Sequence, residues 1–244
     1  MGRFTRYLIH IVQPTRCIGC GKVVYSHQYF CSHCRTQLPH IALGECPWCG
    51  KNDQTDCNCE NDFELLFPCN APFHYEGCIR QGILTIKKGT ETRGAAVFGK
   101  IMANRVARLY GTDFDGIVYV PVTKKRLRQR GYNQSRLLAK AIADWLDLPL
   151  LDNALVRLYD APDQHRSSRH SRKGNVFGVF EANAAAVAGK RLLLVDDVFT
   201  TGTTINECGK MLLLADCDSV CGITLAMAKP AKNTTNDQQE QRMV

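Results

Sequence analysis

Asp196 and Asp197 are followed by Val198 and Phe199, and then by Thr200, Thr201, Gly202, Thr203 and Thr204. Four hydroxyls around one glycine suit a phosphate: hydroxyl and backbone N–H groups donate to it, and Gly202 lets the backbone approach with no side chain between. An ordinary helix cap uses a single hydroxyl, which leaves the other threonines unexplained. Two carboxylates repel a phosphate and instead accept hydrogen bonds from hydroxyl groups, as a ribose ring offers. Phosphate on one side and a diol on the other describes a sugar phosphate.

A second chemistry is written in the cysteines. Cys17-Ile18-Gly19-Cys20 and Cys31-Ser32-His33-Cys34 are two Cys-x-x-Cys knuckles, and four thiolates at this spacing suit a tetrahedral zinc ion. Cys46-Pro47-Trp48-Cys49 and the tighter Cys57-Asn58-Cys59 offer a second set. His27, His33 and His40 are spare ligands, expected instead at the surface or beside the metal. Ten of the thirteen cysteines precede residue 79, and no export signal accompanies them, so metal explains them better than disulfides or a redox dithiol. A segment so poor in core-forming periodicity needs such a staple to fold.

The elements that must position the sugar-phosphate residues follow from the apolar pattern. Arg191, Leu192, Leu193, Leu194 and Val195 read as a buried strand ending at the two carboxylates, and Ile205, Cys208, Met211 and Leu212 read as the inner face of a helix. Strand, loop and helix in that order place the helix's free N–H groups beyond the carboxyl end of a strand, where α/β sheets bind ligands. Residues 115–121 form another buried strand, and 220–225 a last one. A short strand is expected over residues 71–75, helices over 77–87 and 93–110, a helix marked by Leu137, Leu138, Ile142 and Trp145, and a further strand over 155–158.

Five cations, Lys124, Lys125, Arg126, Arg128 and Arg130, follow the strand that ends at Pro121. Placed beside a second strand terminus, they suit a second anion, most simply a pyrophosphate. Residues 160–173 carry His165, Arg166, Arg169, His170, Arg172 and Lys173 without periodicity, as a loop that folds over an anion would. Two other nucleotide motifs fail. Gly94 to Lys100 resembles the start of a P-loop, but Ile101 stands where a magnesium-binding hydroxyl is required, within a helical pattern, and no Gly-x-Gly-x-x-Gly follows any strand.

The chain of 244 residues is long enough for one good core and a smaller module. Its formal net charge of +8 favours anionic partners, phosphorylated small molecules or nucleic acid. No apolar run is long enough to cross a membrane, and residues 7–12 are too short a run for a secretory signal, so no membrane insertion and a cytoplasmic location are expected. The expected division is a cysteine-rich double zinc ribbon at 1–62, an α/β domain with a mostly parallel sheet at 63–229, and a polar disordered tail at 230–244.

The run from Val195 to Thr204 resembles the signature of type I phosphoribosyltransferases, which bind phosphoribosyl pyrophosphate (PRPP). The finer resemblance is to the ComF family, which includes the GntX-type proteins. It is carried by the cysteine knuckles, by Arg130-Gly131-Tyr132-Asn133-Gln134, by Gln164, Arg172 and Asn175 ahead of Phe180, and by the acidic and threonine stretch. Tyr132 stands where the family usually has Phe, and Val122 and Thr123 follow Pro121 where Leu and then a variable residue is commoner.

The resemblance implies transfer of a phosphoribosyl group from PRPP to an acceptor, with release of pyrophosphate, in a protein tied to DNA uptake and natural transformation. Asp196, Asp197, Lys124 and Arg172 would carry the chemistry. Thr200, Thr201, Gly202, Thr203, Thr204, Lys125, Arg126 and Arg130 would hold PRPP with its magnesium, and Cys17, Cys20, Cys31, Cys34, Cys46, Cys49, Cys57 and Cys59 one or two structural zinc ions. Two alternatives stand beside this enzyme. One is a non-catalytic PRPP-sensing module that binds single-stranded DNA and meets competence or recombination proteins. The other is a zinc-stapled interaction protein, which has no need of an intact acid pair.

Overall fold

The computed structural model describes residues 14–46, 65–89, 93–158 and 179–229. Its N-terminal part is a small cysteine-built unit. An antiparallel bridge joins Arg16 to Val23, and the Ile18 amide donates to the Tyr29 carbonyl at 2.9 Å. A single helical turn, α1 (Ser32–Thr36), carries the last cysteine of the cluster.

Three parallel strands form the body of the sheet: β3 (Gly116–Tyr119), β6 (Arg191–Phe199) and β7 (Ser219–Met227). Two short strands, β1 (Cys69–Asn70) and β2 (Phe73–His74), both pair with β7, so the order is β1-β7-β6-β3 with β2 continuing along β7. The strand expected over 71–75 is thus only β2, and the separate β1 ends just before it. Pro72 has no N–H to give the ladder, and the Ala71 amide is taken by the Asn70 side chain at 2.8 Å. A separate antiparallel pair, β4 (Leu155–Arg157) and β5 (Phe180–Ala182), flanks the sheet, with the single turn α6 (Ala184–Val187) after it.

Helices cover both faces. On one side lie α2 (Gly77–Lys87), α3 (Arg93–Leu109) and α5 (Gln134–Leu146). Each buries a stripe at helical spacing, such as Ile79, Ile83 and Ile86 on α2 or Phe98, Met102 and Val106 on α3. On the other side lies α7 (Thr203–Leu214), with Ile205, Cys208 and Leu212 inward as the spacing predicts. The faces separate within β6: Leu192 and Leu194 belong to the α7 side, Leu193 and Val195 to the α2/α3/α5 side. This is an α/β fold with a mostly parallel sheet flanked by helices. No helix of the described residues is long and apolar enough to cross a membrane.

The glycines that mimic a P-loop have a packing role. A Cβ on Gly99 would lie 2.4 Å from the Ala141 Cβ of α5, and one on Gly94 would meet Ile86 at 3.3 Å, so these positions let the helices approach closely. The cysteine-built unit reaches both layers. Ile18 packs among Ile79, Ile83 and Phe98, while Ile41 and Cys46 pack with Phe67 and Cys69 in the other layer. Arg105, buried in α3, ties this together by donating to the Ile41 carbonyl at 2.7 Å, the Ala42 carbonyl at 3.1 Å and the Asn70 side chain at 3.0 Å.

Candidate functional site

β6 does not end at the carboxylates, as its apolar run suggested. β7 supplies ladder partners as far as Met227, pairing Asp196 with Thr224, Val198 with Ala226 and Phe199 with Met227. Asp196 and Asp197 are therefore held in rigid strand at the carboxyl end of the sheet. The loop follows at once: Thr200, Thr201, Thr203 and Thr204 are exposed, and Thr201 and Thr203 hydroxyls lie 2.9 Å apart. Gly202 precedes α7 with φ +74°, and a Cβ there would lie 2.5 Å from the Phe199 ring. Both facts require glycine. No side chain caps α7, which leaves its first N–H groups to an anion.

The two carboxylates have different surroundings. Asp196 accepts from the Ser135 hydroxyl at 2.8 Å and from the Asp197 amide at 2.8 Å. Burial, and then the neighbouring Asp197 charge, push its carboxyl up to about 7. Asp197 faces the α2/α5 side, in a cleft shared with Ile83, Ile86, Gln134, Leu138 and Leu225. Its Oδ2 lies 2.8 Å from Lys87 Nζ, at the end of α2. Sequence reading missed both Lys87, placed only as the last residue of the helix over 77–87, and Ser135. No local motif marks either, because each meets the acid pair through the tertiary fold.

The Asp196 shift has a pH consequence. A carboxyl whose folded value is raised contributes stability in full below its unfolded value, 3.8, and loses it as pH rises through about 7. The Tm of the ligand-free wild type minus that of Asp196→Asn is therefore expected to fall steadily across that window. A difference independent of pH would contradict the assignment.

The basic run after β3 is a helix: α4 (Lys124–Arg130). The Thr123 hydroxyl accepts from the Arg126 amide at 3.0 Å, and Gly131 closes the other end at φ +79°. A capping Thr, long straight side chains and a terminal glycine are helix signals that charge alone obscured. Lys124, Lys125, Arg126 and Arg128 are exposed, and among the described residues none is bonded to the acid pair. Arg130 is half-buried and donates to Gln134 at 3.0 Å, which leads to the Asp197 cleft. The Tyr132 hydroxyl, absent from the Phe expected there, donates to the Ile86 carbonyl at the end of α2. Arg172, with the whole basic stretch over 160–173, lies outside the described residues, as do Gln164 and Asn175.

α4 leaves the carboxyl end of β3, and the threonine loop leaves that of β6. The two strands are neighbours, and the Val120 amide donates to the Val195 carbonyl at 3.0 Å. The chain departs from β3 into α5 on one face and from β6 into α7 on the other. That divergence is a topological switch point, where open α/β sheets bind ligands.

In the N-terminal unit the sulfurs of Cys17, Cys20, Cys31 and Cys34 lie within 4.8 Å of one another. Backbone amides support them: the Cys31 amide donates to the Cys17 sulfur at 3.3 Å and the Cys34 amide to the Cys31 sulfur at 3.5 Å. The second contact leads in drawing the Cys31 thiol down to about 7. Four converging thiols with amide support are the donor set of structural zinc. His27, His33 and His40 are exposed and outside this cluster, as expected. Of the second cysteine set, Cys46 is buried in a core layer, while Cys49, Cys57 and Cys59 lie outside the described residues.

A parallel sheet that ends in an acid pair and an uncapped, hydroxyl-rich helix start defines the phosphoribosyltransferase class of α/β domain. The chain belongs to the phosphoribosyl transferase domain family, which matches residues 92–244, and the double zinc ribbon domain matches residues 8–62. It is 29% identical over 207 residues to "Competence protein F" of Haemophilus influenzae, covering 84% of this chain and 86% of that protein. It is 37% identical over 99 residues to "DNA utilization protein YhgH" of Escherichia coli, covering 41% of this chain and 43% of that protein. Among solved structures, adenine phosphoribosyltransferase of Thermoanaerobacter pseudethanolicus matches at a TM-score of 0.36 and 17% identity, over 56% of this chain and 82% of that one. The ComF resemblance read from the sequence holds.

Proposed function

We propose that the chain binds PRPP at the switch point and transfers its 5-phosphoribosyl group to an acceptor, releasing pyrophosphate. The observation that carries this is the placement of two carboxylates and an uncapped threonine loop on one strand, with a basic helix leaving the adjacent strand. In this reading residues 200–204 hold the 5′-phosphate, and Asp196 and Asp197 accept from the ribose hydroxyls. The bond from C1 to the pyrophosphate oxygen breaks, and its electron pair leaves with the pyrophosphate. The acceptor's lone pair then forms the new bond to C1. The sugar is cation-like as this happens, so charge placement matters more than a strong acid or base. Lys124, Lys125, Arg126 and Arg130 are the cations available to the leaving group, and Arg172 is the candidate for closing over it.

PRPP is expected to arrive with magnesium. The acid pair does not by itself build a cage for that ion, because Asp196 Oδ1 is engaged by Ser135 and Asp197 Oδ2 by Lys87. The competence and DNA-utilization names of the relatives support a role in handling incoming DNA.

Calorimetry with PRPP and magnesium tests the reading. Wild type is expected to bind, and Asp197→Asn to bind about 100-fold more weakly, about 2.8 kcal/mol. No binding by wild type, or equal binding by both, sinks it.

A second reading, contact with single-stranded DNA, draws on the ribbon. Exposed Tyr25 and His27 stack there with centroids 6.1 Å apart and rings 10° from parallel, and exposed Lys22 shortly precedes them in the chain. Aromatic faces beside cations suit unstacked bases. Filter binding of an oligonucleotide is expected to weaken steeply with salt. Affinity that ignores salt, or that Tyr25→Ala leaves intact, counts against it.

A further inference from the structure

Lys87 precedes the matched residues 92–244 and stands apart from both phosphate-binding segments. It is nevertheless, among the described residues, the cation in contact with the acid pair. Its Nζ lies 2.8 Å from Asp197 Oδ2, with side chains 24% and 10% exposed. That oxygen is fully buried and has no hydrogen-bond partner among the described residues, so the ion contact with Lys87 is what offsets it. We propose that Lys87 is a positioning residue of the ribose site, the fixed counter-charge that lets two adjacent buried carboxylates face one ligand. The proposal rests on the sugar-phosphate reading above.

The physical difficulty it answers is specific. A diol needs acceptors, and a protonated carboxyl loses acceptor capacity. Two neighbouring buried carboxylates resist ionising together, because each raises the cost of the other's charge. Among the described residues, the groups facing Asp196 are Asp197 on its own strand, Ser135 on α5, Lys87 on α2, Cys69 on β1 and Cys208 on α7. Of these Lys87 is the one positive charge, while Arg157 on β4 acts on Cys208 and Arg130 is engaged by Gln134.

Lys87 is also held in place rather than free to wander. The Tyr132 hydroxyl donates to the Ile86 carbonyl, and Gly89, at φ +77°, lies against the Tyr132 ring. At the far end of α2, Cys78 meets the zinc-binding unit, its thiol 3.6 Å from the Cys34 carbonyl. A helix fixed at both ends delivers its last side chain to one place. This fixity separates a positioning charge from a surface lysine that pairs in passing.

The test is the titration of the Asp196 carboxyl in the ligand-free full chain, followed by carbon-13 NMR and assigned with Asp196→Asn. In Lys87→Met its midpoint is expected to rise from about 7 by about one unit or more, and Lys87→Arg to restore most of the difference. PRPP affinity of Lys87→Met is then expected to fall about tenfold at neutral pH and to recover as pH rises toward about 9. An unmoved midpoint in a folded Lys87→Met protein overturns the proposal, as does an affinity loss that is the same at every pH. Lys87→Gln serves if the methionine variant does not fold. If the midpoint moves but wild type fails to bind PRPP, the counter-charge role stands and the ribose reading falls.

Discussion

Stripping the metal from Cys17, Cys20, Cys31 and Cys34 unfolds the N-terminal unit and lowers the stability of the α/β domain with it. Few apolar residues are buried within that unit, and its short helix α1 has five residues, too few to persist alone. Structural zinc in comparable small motifs is worth about 10–16 kcal/mol, far more than its own packing supplies. The loss is not contained, because Ile18 leaves a core layer that includes Ile79, Ile83 and Phe98. Protein purified without chelator is expected to hold at least one zinc per chain, and Cys34→Ser, which alters a buried ligand, to hold one fewer. Its melting temperature is expected to drop by about 10 °C or more. Undiminished zinc in Cys34→Ser would show that these four sulfurs are not the site.

Arg105→Ala is expected to destabilise the join between the cysteine-built unit and the sheet. Its guanidinium donates to three acceptors on two segments, the Ile41 and Ala42 carbonyls and the Asn70 side chain, and it is 8% exposed. Removing it strands the buried Ile41 carbonyl, whereas the Asn70 oxygen keeps the Ala71 amide and Ala42 is exposed to water. One unsatisfied buried acceptor costs about 1–3 kcal/mol. For a chain of this size that is a Tm drop of about 2–12 °C. Arg105→Lys, with a point charge in place of a planar fork, should recover only part of it. A chemical melt in which Arg105→Ala keeps the wild-type midpoint would remove Arg105 from this role.

Much of this architecture was legible because it rests on periodic burial. The start of β6 and the inner face of α7 followed from Arg191–Val195 and from Ile205, Cys208 and Leu212, and the threonine loop declared its chemistry by composition. The first zinc site was legible from spacing alone, since two knuckles need only a turn to bring their sulfurs together. Three features were not. The length of β6 depends on partners in β7, which a strand's own residues do not reveal. The basic run hid a helix, because its cations masked the Thr123 cap and the Gly131 stop. Lys87 and Ser135 meet the acid pair from separate helices, and no spacing along the chain encodes a contact made across the fold.

The join between the ribbon and α2 limits how these parts can be exchanged. A Cβ on Gly19 would lie 2.6 Å from the Cys78 Cβ, and one on Gly82 would lie 3.0 Å from Ile18. Each side thus supplies a glycine where the other supplies bulk, like two surfaces machined to one tolerance. A ribbon borrowed from another protein would seat here only if it brought both the small residue and the branched one at adjacent positions. The two parts are therefore inherited, or transplanted, as a matched set.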